Sequence, residues 1–329
     1  MTLRRTRPTA ILGLALLALP IVADAQQGPI IPKVGYLSTW SPSNGLAQVE
    51  AFRGGLREHG YIDGTNVLVV SRFAEGRYER LPALAADLVR MKVDVVVAYT
   101  TPAALAAQRA TATIPIVFTL VSEPVRTGLV ASLARPGGNV TGYTDITAEL
   151  VQKRLALLKE LVPRSTRIGV LKNPDNSGAK IASNELELAA RQLGLELHGA
   201  DVRNVADLDS AFAAFTKAQV GSLFVVADSF LVQISAQIAR LAMMHRLPLM
   251  GWSIAWPRAG ALLSYGADAT GAHRQLAGYV AKILRGAKPA ELPVEQPTRF
   301  LLIINVRTAS ALGLTISQSM LARADQIIE

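Results

Sequence analysis

The chain has no cysteine and only four histidines among 329 residues, and aromatic residues make up 5% of it. The first absence excludes disulfides and any thioether-linked lipid anchor, and together the two make a zinc site improbable on ligand supply alone. No histidine falls in an H-E-x-x-H or comparable metal-binding spacing, so no metal is expected. No G-x-G-x-x-G follows a strand-like run, and no P-loop occurs, so the backbone cradle that a nucleotide cofactor needs is missing. No cofactor is expected. After Val22 no apolar run is long enough to span a bilayer.

What is present begins with a leader-like segment. Arg4, Arg5 and Arg7 precede an apolar stretch from Ala10 to Val22, and Ala23-Asp24-Ala25 places small residues at a cleavage site. Residues 1–25 therefore read as a secretory signal peptide, which implies a periplasmic or secreted protein. Its removal takes away three arginines and one aspartate and lowers the formal net charge from +9 to +7. That surplus does not point to nucleic acid. The basic residues (Arg53 and Arg57, Arg77 and Arg80, Arg154) are scattered over helix faces rather than gathered in a stripe with interleaved aromatics, and read as solvated surface.

From Pro32 onward, short β-branched runs alternate with amphipathic helical ones. Eleven strand candidates run from "KVGYL" to "FLLIIN", and most are apolar throughout, as strands of a parallel sheet covered on both faces must be. The class is α/β with Rossmann-like parallel sheets. Eleven strands are many for one twisted open sheet, and the pattern restarts at Arg167. The chain divides into an N-terminal lobe (residues 26–143), a C-terminal lobe (144–264) and a C-terminal segment (265–329) that returns across the junction.

In such sheets ligands sit beyond the carboxyl ends of the strands. Those ends carry Ser38-Thr39-Trp40, Thr100-Thr101, Ser122-Glu123, Thr144-Asp145, Asn173, Asp228 and Trp252. Each has a plainer reading as a cap or turn: Thr101 before Pro102 suits an N-cap, "NPDNSG" suits a turn, and Glu123 and Asp145 suit helix N-termini. A helix-like stretch follows Glu123-Pro124, and "RPGGN" then turns the chain. One catalytic look-alike stands out, "GWSIA" with Ser253 followed by Asp268 and His273. A nucleophile elbow wants glycine where Ala255 stands and a helix directly after it, and Pro257 and Gly260 interrupt that helix. No enzyme activity is expected. His59 and His245 fall at helix C-termini, where an imidazolium suits the dipole.

The strings "IPIVFTLVSEPVRTGLVASLARPGGNVTG", "KRLALLKELVP", "GALLSYGAD" and "YVAKILRGAKPAELPVEQPTRFLLIIN" resemble the substrate-binding proteins of ABC transporters in the TrpX-like group. The resemblance covers nearly the whole chain after the leader. It implies a type I periplasmic binding protein fold, two lobes joined by a hinge, and no catalysis. It implies a small-molecule solute, possession of a membrane permease as partner, and a monomer. By analogy the ligand-facing positions fall on Ser38, Thr39, Trp40, Thr100, Thr101, Ser122, Glu123, Thr144, Asp145, Asn173 and Asp228. Two loops depart from the group: Thr39-Trp40 and "GWSIAW" carry indole where acidic residues are common. Trp40 and Trp252 then suit a ligand with an aromatic or apolar body. A ligand-sensing module reporting to a receptor would use the same two lobes, and the residues do not separate it from a transport component.

Overall fold

Val95–Tyr99 is buried at every position, and so is Val140–Thr144. Strands of that kind require cover on both faces, and they sit inside a five-stranded parallel sheet. The computed structural model describes residues 31–146, 148–268 and 271–329. The expected signal peptide at 1–25 lies outside the described residues. The first sheet comprises β1 (Lys33–Ser38), β2 (Leu68–Phe73), β3 (Val95–Tyr99), β4 (Ile116–Val121) and β5 (Val140–Thr144) in the order β2-β1-β3-β4-β5. Helices α1 (Pro42–Glu58), α2 (Leu81–Arg90) and α3 (Thr101–Ala110) follow β1, β2 and β3.

The second sheet has seven strands: β6 (Arg167–Lys172), β7 (Glu196–Asp201), β8 (Ser222–Val225), β9 (Leu249–Gly251), β10 (Leu263–Ala267), β11 (Phe300–Asn305) and β12 (Gln326–Ile328). Their order is β12-β11-β10-β9-β8-β6-β7, parallel except where β10 meets β11. Its helices are α4 (Val151–Leu161), α5 (Ser177–Gln192), α6 (Asp207–Lys217), α7 (Ser229–Gln233), α8 (Ser235–Met244) and α9 (Ala255–Arg258). β12 is a strand that the apolar-run pattern does not reveal, because it is three residues long and largely exposed.

The chain then crosses back. Helix α10 (Ala272–Leu284) packs on the first sheet, where Leu276, Ala277, Val280 and Ile283 join Val34, Tyr36, Phe52 and Leu56 in one core. Gly55 permits this approach: a Cβ there would lie 2.8 Å from that of Ala277. A further crossing leads to β11, α11 (Val306–Ala311), α12 (Gln318–Arg323) and β12, all on the second sheet. The crossings are tied side by side, with Thr144 N donating to Glu295 O at 3.0 Å and Asp268 N to Arg299 O at 3.0 Å.

One expected helix is missing. After Glu123-Pro124 the chain makes a single turn, closed by Thr127 N and Oγ1 donating to the Glu123 carbonyl at 2.9 and 3.0 Å. Glu123 has φ 53° and Gly128 φ 75°, so a left-handed residue on either side confines the turn to a length at which helix does not propagate. His59 and His245 do stand at the C-caps of α1 and α8.

Candidate functional site

The carboxyl ends of both sheets face one cavity of about 360 Å³. The two lobes meet across it through side chains. Thr39 Oγ1 donates to Ser229 Oγ at 2.8 Å, Tyr78 OH to Asp228 Oδ2 at 2.7 Å, and Ser41 N to Gln233 Oε1 at 3.1 Å. Arg126 pairs with Glu185 at 2.9 Å on the rim. The start of α5 abuts the first lobe closely, since a Cβ on Gly178 would stand 3.2 Å from Thr101 Oγ1.

Seven of the sequence candidates line the cavity: Trp40, Thr100, Thr101, Ser122, Asp145, Asp228 and Trp252. Trp40 meets Tyr99 edge-on at 5.8 Å, and Trp252 packs on Trp256 at 5.1 Å. Thr101 is the first helical residue of α3, not its cap, which is Thr100; its hydroxyl accepts from Ser122 N at 3.1 Å instead. Asp145 precedes no helix directly, because α4 is capped by Leu150. Asp228 reaches the wall, yet its carboxylate accepts from Tyr78, Asn173 and Asn176 side chains and from the backbone N–H groups of Phe230 and Leu231. It caps α7 and joins the lobes. Burial raises its pKa despite those donors.

The other five candidates stand off the wall. Ser38 Oγ accepts from Trp40 N at 3.2 Å, and Thr144 Oγ1 donates to Val121 O at 2.7 Å. Thr39 is spent on the interlobe contact, and Asn173 on Asp228 and Asp175 N. Glu123 is half-buried, and desolvation raises its pKa. With no helix after it, it caps nothing.

The structure also corrects the reading of Arg154 as solvated surface. It is 2% exposed and lines the cavity. Nε donates to the Tyr265 carbonyl at 2.6 Å, leaving the rest of the guanidinium to other partners. Burial lowers its pKa to about 10, with Asp145 opposing the shift, so it stays charged at neutral pH. The sequence did carry the cue: α4 buries Val151, Arg154, Leu155 and Leu158, and that i, i+3, i+4, i+7 stripe places an arginine on the apolar face.

Further wall residues had no signal as single positions. Tyr99 closes β3, and its phenol pKa is raised by burial and then by Asp145. Tyr143, Asn176 and Asp268 also face the cavity, as do Gln48 and His273 from the parallel starts of α1 and α10. His273 stacks on Tyr99 at 5.8 Å with 17° between planes, and burial lowers its pKa to about 4. Ser253, Asp268 and His273 all reach this cavity, but His273 Nε2 has no hydrogen-bond partner, so that nitrogen does not hold the Ser253 hydroxyl. Among the described residues no cluster of three or more His, Asp or Glu could hold a metal, and no helix is long and apolar enough to cross a membrane.

The site thus offers a buried guanidinium, carboxylates on the same wall and aromatic faces on both sides. Comparison with known proteins adds its own finding. Residues 40–328 match the family described as ABC transporter substrate binding protein. A curated relative, the tyrosine-binding protein of Clostridioides difficile (strain R20291), is 29% identical over 259 residues, 79% of this chain and 74% of its own. Two crystal structures each cover 90% of this chain and 99% of their own. One is a conserved domain protein of Vibrio cholerae (32% identical, TM-score 0.84) and the other an ABC domain of Streptococcus pneumoniae in complex with L-Trp (28% identical, TM-score 0.82).

Proposed function

This chain belongs to the ABC transporter substrate-binding protein family, and on that premise we propose that it clamps one zwitterionic solute with an aromatic body between its lobes for delivery to a membrane permease. Its fold is that of the type I periplasmic binding proteins. Arg154 is the observation that carries the ligand class. Its guanidinium, buried on the cavity wall beside Asp145, has the planar fork that a ligand carboxylate matches bidentately. Asp145 and Asp268 on the cavity wall, the latter also paired with Arg299 at 3.5 Å, supply acceptors for an ammonium group, and Trp40, Tyr99 and Trp252 supply faces for a ring. An α-amino acid with an aromatic side chain presents all three features at once. The names of the tyrosine-binding and L-Trp-bound relatives support the same class.

Delivery places the mature protein outside the cytoplasm, as a monomer with residues 1–25 removed. N-terminal sequencing of protein recovered from the periplasm then begins at Gln26. The solute leaves unaltered, because a histidine with a pKa of about 4 is a poor base at neutral pH and, among the described residues, no nucleophile is paired with its Nε2. Loss of a turnover activity in Ser253→Ala would count against this.

The test is mass spectrometry of small molecules released by denaturing protein purified from its own periplasm. An aromatic amino acid, one per chain, is the expected result. A sugar, polyol or metal complex in its place overturns the reading.

A further inference from the structure

Thr100 stands on the cavity wall with φ 86° and ψ 161°, a backbone region open to glycine and almost nothing else. A β-branched residue there is an outlier, because its Cβ crowds the backbone. The surroundings impose the conformation: Thr100 N donates to Thr119 O at 2.9 Å, and Ala104 N donates to the Thr100 carbonyl at 3.0 Å. Those two bonds would hold a glycine equally well. Nor does the side chain serve as a helix cap, since Thr100 precedes α3 without a capping hydrogen bond. Its hydroxyl is used elsewhere.

Thr100 Oγ1 lies 3.3 Å from Thr39 Oγ1, and Thr39 Oγ1 donates to Ser229 Oγ at 2.8 Å. Ser229 Oγ is 2.7 Å from the Tyr78 hydroxyl, which donates to Asp228 Oδ2 at 2.7 Å. A hydroxyl has one proton to give, so these contacts can be put in order. Tyr78 gives its proton to Asp228, so Ser229 donates to Tyr78. Thr39 gives its own to Ser229, so Thr100 donates to Thr39. The result is one directed chain, from Thr100 through Thr39, Ser229 and Tyr78 to a carboxylate. Every residue in it is buried, and each link after Thr39 crosses the seam between the lobes. The carboxylate at its end also accepts from the N–H groups of Phe230 and Leu231, which fixes the start of α7. Hydrogen bonds in such a chain polarise one another, so a loss at one end weakens the rest.

We propose that Thr100 is a positioning residue for lobe closure: its strained backbone aims the hydroxyl at Thr39, and through that chain the cavity wall and the seam at α7 hold or part together. This goes beyond the ligand class proposed above and does not depend on which solute binds.

The test is hydrogen–deuterium exchange of the full chain freed of bound solute, read by mass spectrometry in residues 228–234, across the seam from Thr100. Thr100→Val keeps the shape and removes the hydroxyl, and exchange there is expected to rise about 2- to 10-fold, the worth of one buried hydrogen bond. Thr100→Ser keeps the hydroxyl and is expected to exchange like the parent. Thr100→Gly relaxes the backbone but has no hydroxyl, and is expected to exchange as fast as Thr100→Val. An unchanged rate in Thr100→Val overturns the inference. So does a Thr100→Ser rate as fast as that of Thr100→Val, or a Thr100→Gly rate as slow as the parent's. Tyr78→Phe leaves Thr100 untouched and runs the test in reverse should a Thr100 variant not fold. Exchange in residues 100–105 is then expected to rise, and no change there overturns the inference.

Discussion

The Tyr78 hydroxyl of the first lobe donates to Asp228 of the second at 2.7 Å and lies 2.7 Å from Ser229 Oγ. Both partners are buried, so the contact joins the lobes away from water. Burial raises the tyrosine pKa, and the aspartate beside it raises it further, which keeps the hydroxyl protonated and donating throughout the physiological range. With Thr39 to Ser229 and Ser41 to Gln233, it makes a row of interlobe bonds that exist only while the lobes are together.

Tyr78→Phe should therefore favour separated lobes. Losing one donor to a buried carboxylate costs about 1–3 kcal/mol, or roughly 5- to 150-fold in ligand affinity if that energy is drawn on closure. Small-angle scattering should show a larger radius of gyration for the ligand-free variant than for the parent. Identical scattering and identical affinity would mean that the contact is incidental to closure.

Glu123 and Asp145 should part company. Asp145 lines the cavity, and its replacement by asparagine should weaken binding by about 2–5 kcal/mol, the cost of leaving the ligand's ammonium group without its carboxylate partner. Glu123→Gln should leave affinity within about threefold, because the side chain is off the wall and caps no helix, and surface-like substitutions stay within about 0.5 kcal/mol. Titration of one ligand into both variants decides this, and a larger loss in the Glu123 variant would contradict the geometry.

His273 sets a pH dependence of stability. Its pKa is about 4 in the folded protein and about 6.5 when unfolded, so between those values the unfolded chain binds more protons. Stability falls as pH drops from about 6.5 toward 4 and levels off below, by up to roughly 3 kcal/mol for a shift of this size. In urea unfolding across that range, the stability of the parent minus that of His273→Phe should fall by about that amount as pH drops from about 6.5 to 4. Parallel curves would place the acid sensitivity elsewhere.

The fold was legible because parallel strands covered on both faces are largely apolar, as β3 is throughout, and β5 is buried at every position although it carries Thr141 and Thr144. Turn chemistry was legible at Asn176, which opens α5 and accepts from Gly178 N at 3.0 Å. The segment after Glu123 was not, because its apolar spacing mimics a helix and only the left-handed backbone at Glu123 and Gly128 forbids one. Nor does an amphipathic pattern say which sheet a helix will cover. The return of α10 to the first lobe rests on Gly55 meeting Ala277 across 222 residues of sequence, a match visible only once the chain is folded. The same holds at the cavity. Strand ends pointed to Trp40, Asp145 and Trp252, whereas Arg154, Gln48 and His273 reach it from helices and needed tertiary structure to be brought together.

The central claim is that Arg154 holds the ligand's carboxylate. The most direct measurement is calorimetric titration of the aromatic amino acid that binds the parent protein into Arg154→Met, each freed of bound solute, alongside the same amino acid as its carboxamide. Removing the guanidinium should cost about 3–5 kcal/mol with the free acid, or roughly 150- to 5,000-fold. The carboxamide should bind the parent weakly and lose little further in the variant, because the partner that distinguishes the two ligands is gone. If the carboxamide binds the parent as tightly as the acid, or if Arg154→Met loses equal affinity for both, the guanidinium does not hold the carboxylate and the account is wrong.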